Sequence, residues 1–212
     1  WSSDVCSSDL DADGHAAISI GDPDHAKRTA LFVPGTGQDL ARWRYSDEKS
    51  TAMFKAALAA DPHLTKADLS VTTWLGYDRP MNLFDAAWPD RAHRGADPLV
   101  RFEDGMRVSH AGPRAVNTVI GHSYGAVVIG GAASGGHHLA ADNVVSVGGP
   151  GMLVRHAGDL NLDPGATVYA LRARNDIIQL AGGGLGLGPY PPESPVFGAT
   201  RLAADPGPAF AG

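Results

Sequence analysis

Several things are scarce in this chain, and each scarcity closes off a class of protein. It has one cysteine, Cys6. That residue lies in an opening segment, Trp1 to Leu10, which reads as foreign: the codons for Asp4 to Leu10 would spell a string resembling a common short-read sequencing adapter. Residues 1–10 are therefore expected to be a non-native artefact and are set aside in the way a tag or fusion scar is. Cysteine usage then indicates neither a redox compartment nor a thiol function. Basic clusters are missing as well. The 17 Lys and Arg are scattered among 23 Asp and Glu, for a formal net charge of -6, so no stripe exists to track phosphates and no nucleic-acid partner is expected. No apolar run approaches the roughly 18 residues of a spanning helix, so no transmembrane segment is expected. Histidine is missing from the last quarter: all nine lie at or before His156.

What remains is a chain of 212 residues, 43% hydrophobic, long enough to bury one substantial core. Residues 11–212 read as a single domain in which strand-like and helix-like runs alternate, the pattern of a mostly parallel sheet flanked by helices. Ala16 to Ile20, Thr29 to Val33, Leu69 to Trp74, Ala115 to Ile120, Asn143 to Val147 and Ala166 to Ala173 are the expected strands. Helices are expected over Asp39 to Ala60, with Asp61-Pro62 as a stop, over Asp97 to His110, and over Ala126 to Ala133. The Gly- and Pro-rich stretch from Gly182 onward reads as irregular.

One stretch carries chemistry. In Val119-Ile120-Gly121-His122-Ser123-Tyr124-Gly125 an apolar run enters a G-x-S-x-G pattern and leaves it as a small-residue helix. Such a turn lifts a serine hydroxyl above the C-terminal edge of a parallel sheet, and glycines two residues to either side remove clashing Cβ atoms. In a chain with 27 glycines the pattern counts for little without that strand-and-helix context, which is present here. Ser123 is the candidate nucleophile; the bland alternative makes it a helix N-cap.

A serine nucleophile needs donors for an oxyanion, and a base oriented by an acid. The backbone N–H of Tyr124 is one candidate donor. The loop Pro34-Gly35-Thr36-Gly37 after an early strand offers the other, Thr36 first and Gly37 second. The acid is expected after a late strand, where Asp176 stands, with Asp159 and Asp163 as runners-up. A helix N-cap role for Asp176 is the competing reading. For the base, His122 is too close to Ser123 in the chain, His137 and His138 read as solvated and lack metal-site spacing, and His156 precedes the acid strand. Trp74, Tyr77 and Asp78 follow a strand and are expected at the pocket rim, Asp78 either touching substrate or pairing with Arg79.

The ordered blocks Phe32-Val33-Pro34-Gly35-Thr36-Gly37, Trp74-Leu75-Gly76-Tyr77-Asp78, Val119 to Gly125, Ser146-Val147-Gly148-Gly149-Pro150-Gly151-Met152, Asn175-Asp176-Ile177-Ile178 and Phe197-Gly198-Ala199 resemble the actinobacterial α/β-hydrolase family once catalogued as a domain of unknown function, over roughly residues 28 to 212. The resemblance implies an α/β-hydrolase fold with Ser123 as nucleophile and Asp176 as acid. Family members carry their histidine in a Gly-His motif shortly after the Phe-Gly-Ala block. The chain stops at Ala211-Gly212, so the expectation is a domain truncated at both ends that has lost its base and is nearly inactive. The function expected of the intact protein is a serine hydrolase acting on a small-molecule or lipid ester, with no metal and no cofactor. An acyltransferase or a non-catalytic binding module of the same fold are the alternatives.

Overall fold

A computed structural model describes residues 5–10, 15–36, 43–82, 84–173 and 186–204, the first stretch and residues 43–45 as backbone only. Among these residues eight strands form one sheet: β1 (Val5–Leu10), β2 (Ala16–Ile20), β3 (Arg28–Val33), β4 (Leu69–Trp74), β5 (Val116–His122), β6 (Asn143–Val147), β7 (Thr167–Leu171) and β8 (Thr200–Arg201). Their order is β1-β2-β4-β3-β5-β6-β7-β8. From β4 to β8 every pairing is parallel, and β2 runs antiparallel to both β1 and β4. The adapter-like segment thus forms the edge strand β1, held by main-chain pairing that is indifferent to side-chain identity.

Among the described residues three α-helices cover the sheet: α1 (Trp43–Ala60), α2 (Asp90–Ser109) and α3 (Tyr124–Ala132). α1 lies on one face, where Phe54 packs on Leu69 and Val71. α2 and α3 lie on the other, where Leu99, Val127, Val128 and Ile129 join Leu31, Val33 and Val119 in the main core. All nine residues of α3 are buried, which explains its composition. A Cβ on Gly130 would stand 2.0 Å from the Met152 carbonyl oxygen, and one on Gly131 3.3 Å from that of Ala92. Only glycine permits the first approach.

Helix α2 begins seven residues before the expected Asp97. Its first half is disguised in the sequence by Pro98, inside the helix, and by buried small residues, Ala92, Gly95 and Ala96, in place of a large apolar stripe. Strand β8 was also not expected; its two residues pair with Tyr169 and Ala170 of β7, too short a run to show any period. Asn117, the polar exception in β5, is explained by its bonds. Its side chain donates to Glu103 of α2 and to the Ala140 carbonyl and accepts from the Thr29 hydroxyl. Three hydrogen bonds thereby meet at the N-terminal edge of the sheet.

The chain order places a functional crevice. After β3 the chain adds β4 on one side, then crosses back to add β5 on the other. Crossovers that leave a strand pair in opposite directions open a gap above the strands' C-terminal ends, here those of β3 and β5.

Candidate active site

Ser123 sits at that gap, immediately after β5. Its backbone has φ 54° and ψ -122°, a left-handed conformation that costs a non-glycine residue about 1–3 kcal/mol and persists only where its surroundings enforce it. They do so closely. The Ser123 N–H donates to the Val147 carbonyl of β6 at 2.9 Å, and its own carbonyl accepts from the Ala126 N–H at 3.1 Å. A Cβ on Gly121 would meet the Ala126 nitrogen at 2.6 Å, and one on Gly125 the Val33 carbonyl oxygen at 2.0 Å. Both flanking glycines are therefore obligatory for the turn. The Ser123 side chain makes no capping hydrogen bond to α3, so the plain N-cap reading does not describe it.

The loop after β3 closes on this turn. A Cβ on Gly35 would stand 2.6 Å from the His122 carbonyl oxygen, 2.8 Å from Ser123 Cβ and 3.0 Å from the Tyr124 nitrogen. The first candidate donor segment and the second are thus in van der Waals contact. Thr36 follows, its hydroxyl oxygen buried and without a hydrogen-bond partner; Gly37 lies outside the described residues.

Two tyrosines hold these parts. The Tyr77 hydroxyl donates to the Pro34 carbonyl at 2.8 Å, and its ring stacks on Trp74 at 5.9 Å and 14°. The Tyr124 hydroxyl donates to the Trp88 carbonyl at 2.5 Å and accepts from the Ala92 N–H at 3.2 Å, tying the nucleophile's neighbour to the start of α2. Burial pushes both phenols up, so both remain protonated donors at neutral pH. Trp74 and Tyr77, expected at a pocket rim, are instead core residues, each 3% exposed: they lie under the loop because Gly76 lets the chain turn back against the Trp74 indole. Only Asp78 reaches the surface, with Oδ1 3.6 Å from His15 Nε2.

Of the candidate acids, Asp176 lies outside the described residues. Asp163 precedes β7 and so stands at the opposite, N-terminal edge, where it meets Arg107, Arg114 and His138. A cavity of about 450 Å³ opens there, lined by Glu103, Arg107, Asn117 and Asp163 among others; it is remote from Ser123 by sheet polarity. Asp159 receives the His156 N–H. His156 is likewise committed, its Nδ1 2.9 Å from the Val196 carbonyl and its ring against Tyr190. His137 pairs with Asp97 at 3.4 Å. Sequence reasoning missed the contact made by Gly35 and the two tyrosine latches, since each joins segments at least 32 residues apart. Among the described residues no cluster of three or more His, Cys, Asp or Glu could hold a metal ion, and no helix is long and apolar enough to cross a membrane.

Among solved structures, the Francisella virulence factor BioJ aligns at a TM-score of 0.46 and 10% identity, covering 83% of this chain and 67% of that one. MGS-M1, an alpha/beta hydrolase enzyme from a deep-sea metagenome library, aligns at 0.43 and 15%, covering 82% and 69%. Two relatives come from mycobacteria. Uncharacterized protein Rv2079 of Mycobacterium tuberculosis is 39% identical over 175 residues, 80% of this chain and 26% of that protein. Uncharacterized protein Mb0988c of Mycobacterium bovis is 28% identical over 199 residues, 91% and 72%. The chain therefore spans about a quarter of the length of the first of these relatives. A family model described as Alpha/beta hydrolase matches residues 9–184, and with the strand order and the strained serine turn already seen, the chain belongs to the alpha/beta hydrolase family.

Proposed function

We propose that the protein is a serine hydrolase of ester-like acyl substrates, with Ser123 as nucleophile. The observation that carries this reading is the Ser123 backbone, held at positive φ between two glycines that have no room for a Cβ. Strain of this kind collects at functional sites. In the proposed mechanism Ser123 Oγ attacks the substrate carbonyl, and its proton passes to a histidine base. The Tyr124 and Thr36 N–H groups, with Gly37 second, stabilise the tetrahedral oxyanion. The alcohol departs with that proton, and water then attacks the acyl-enzyme by the same steps.

Asp176 is proposed as the acid that orients the base. It follows β7, which ends at the same edge as β5. Strand β8 pairs parallel with β7, and a histidine carried on the chain beyond β8 is proposed as the base. A small-molecule or lipid ester fits the proposed chemistry. The test is labelling of the full-length protein with a fluorophosphonate. Labelling that is lost in Ser123→Ala is expected, and product analysis with an added alcohol then separates hydrolysis from acyl transfer. An unlabelled Ser123 would sink the reading and leave a binding module.

A further inference from the structure

The loop after β3 is anchored by the sheet on neither side. The β3–β4 ladder ends at Phe32↔Thr73 and the β3–β5 ladder at Val33↔Gly121. Pro34 is the first residue past both, and Gly35 already touches the serine turn. A main-chain carbonyl at such a place is free to rotate unless something else binds it. The Tyr77 hydroxyl does so, at 2.8 Å.

Tyr77 is itself rigidly placed. Its ring is fixed on one side by Trp74. On the other side it meets α2, where a Cβ on Gly95 would be 3.0 Å from Tyr77 Cβ. Resting on the serine-hydrolase reading, we propose that Tyr77 is a positioning residue for the oxyanion hole: its hydroxyl locks the Pro34–Gly35 peptide so that the loop presents N–H groups, and not a carbonyl, beside Ser123. In a trans peptide the C=O and the following N–H point opposite ways, so holding the Pro34 carbonyl at Tyr77 also sets the direction of the Gly35 N–H. Released, that carbonyl would bring an acceptor toward a site where the transition state develops negative charge and needs donors. Substrate binding before bond formation makes no such demand, so the effect belongs to the chemical step.

The experiment uses the full-length protein, a p-nitrophenyl ester, and Tyr77→Phe, which removes one oxygen and keeps the ring. Displacing an oxyanion donor costs on the order of 10²–10³ in kcat when the donor is lost outright; a loosened loop should cost about 10- to 100-fold, with KM changed less than about threefold. The Ki of a boronic acid, which forms a tetrahedral adduct on the serine, should rise by a similar factor. Ser19→Ala is the control, since it also deletes a buried hydroxyl pair, Ser19 with Thr72 at 2.7 Å between β2 and β4. It should lower stability comparably and leave kcat unchanged. Wild-type kcat and Ki in Tyr77→Phe, or a loss matched by Ser19→Ala, overturns the positioning role while leaving the hydrolase intact. Turnover indifferent to Ser123→Ala overturns the hydrolase reading instead and brings this inference down with it.

Discussion

Glu103 offers a direct test of how the core was built. It lies on α2, 1% exposed. Asn117 Nδ2 donates to its Oε2, while Oε1 is buried without a partner. Burial pushes its carboxyl from the ordinary 4.5 up to about 8, against the opposing pull of the Asn117 hydrogen bond and of Arg107, with Asp104 and Asp163 adding to the rise. The folded protein therefore holds a proton that the unfolded chain releases above about pH 4.5. The stability contributed by that proton is complete below 4.5 and is lost as pH rises through 8. A shift of this size corresponds to about 5 kcal/mol in all, lost at about 1.4 kcal/mol per pH unit between pH 5 and 8. Roughly 3 kcal/mol of it goes between pH 6 and 10. Glu103→Gln should abolish this dependence, because the amide oxygen still accepts from Asn117 and the amide N–H replaces the acid proton. Urea unfolding followed by tryptophan fluorescence at pH 6, 8 and 10 measures the difference between variant and wild type, in which other titrations cancel. The variant should gain on the wild type by about 3 kcal/mol across that range. Curves that run parallel would show that Glu103 is ionised in the folded core, and the argument from its burial would fail.

Gly35→Ala should cut kcat/KM of the full-length protein on a p-nitrophenyl ester by about 100-fold or more, because the new methyl would fall 2.6 to 3.0 Å from the serine turn and the Tyr124 nitrogen; unchanged turnover would show that the loop plays no part. Gly125→Ala places a methyl 2.0 Å from the Val33 carbonyl oxygen, and a melting curve should show Tm lowered by about 4 °C or more, the usual range for overpacking in a domain of this size. Asp176→Asn should lower kcat by about 10²- to 10⁴-fold, whereas Asp163→Asn, which breaks contacts with Arg107 and Arg114 at the far edge, should lower Tm and spare kcat. The reverse ranking would overturn the assignment of Asp176 as the acid.

Much of the scaffold was legible in the residues because local patterns dictate it. Ala16–Ile20, Leu69–Trp74 and Asn143–Val147 form strands at the expected bounds, being short apolar or β-branched runs between turn residues. The serine turn was equally visible, since its pattern stands between a strand-like and a helix-like run, although the steric need for Gly125 comes from Val33 on another strand. Helix α2 was half hidden because its N-terminal half packs through small residues, and β8 because two residues carry no period.

The sequence by itself determined that the chain alternates strands and helices and that Ser123 stands at one tight junction between them, since those features depend on neighbours a few residues away. Only the tertiary structure decided which segments meet there. Sheet polarity sent Asp163 to the wrong edge to serve as the acid. Burial turned Trp74 and Tyr77 from rim to foundation. Contacts across 43 and 88 residues placed the Tyr77 hydroxyl on Pro34, and Gly35 against Ser123. Such pairings follow from the order in which strands join the sheet, which periodicity within a single segment does not encode.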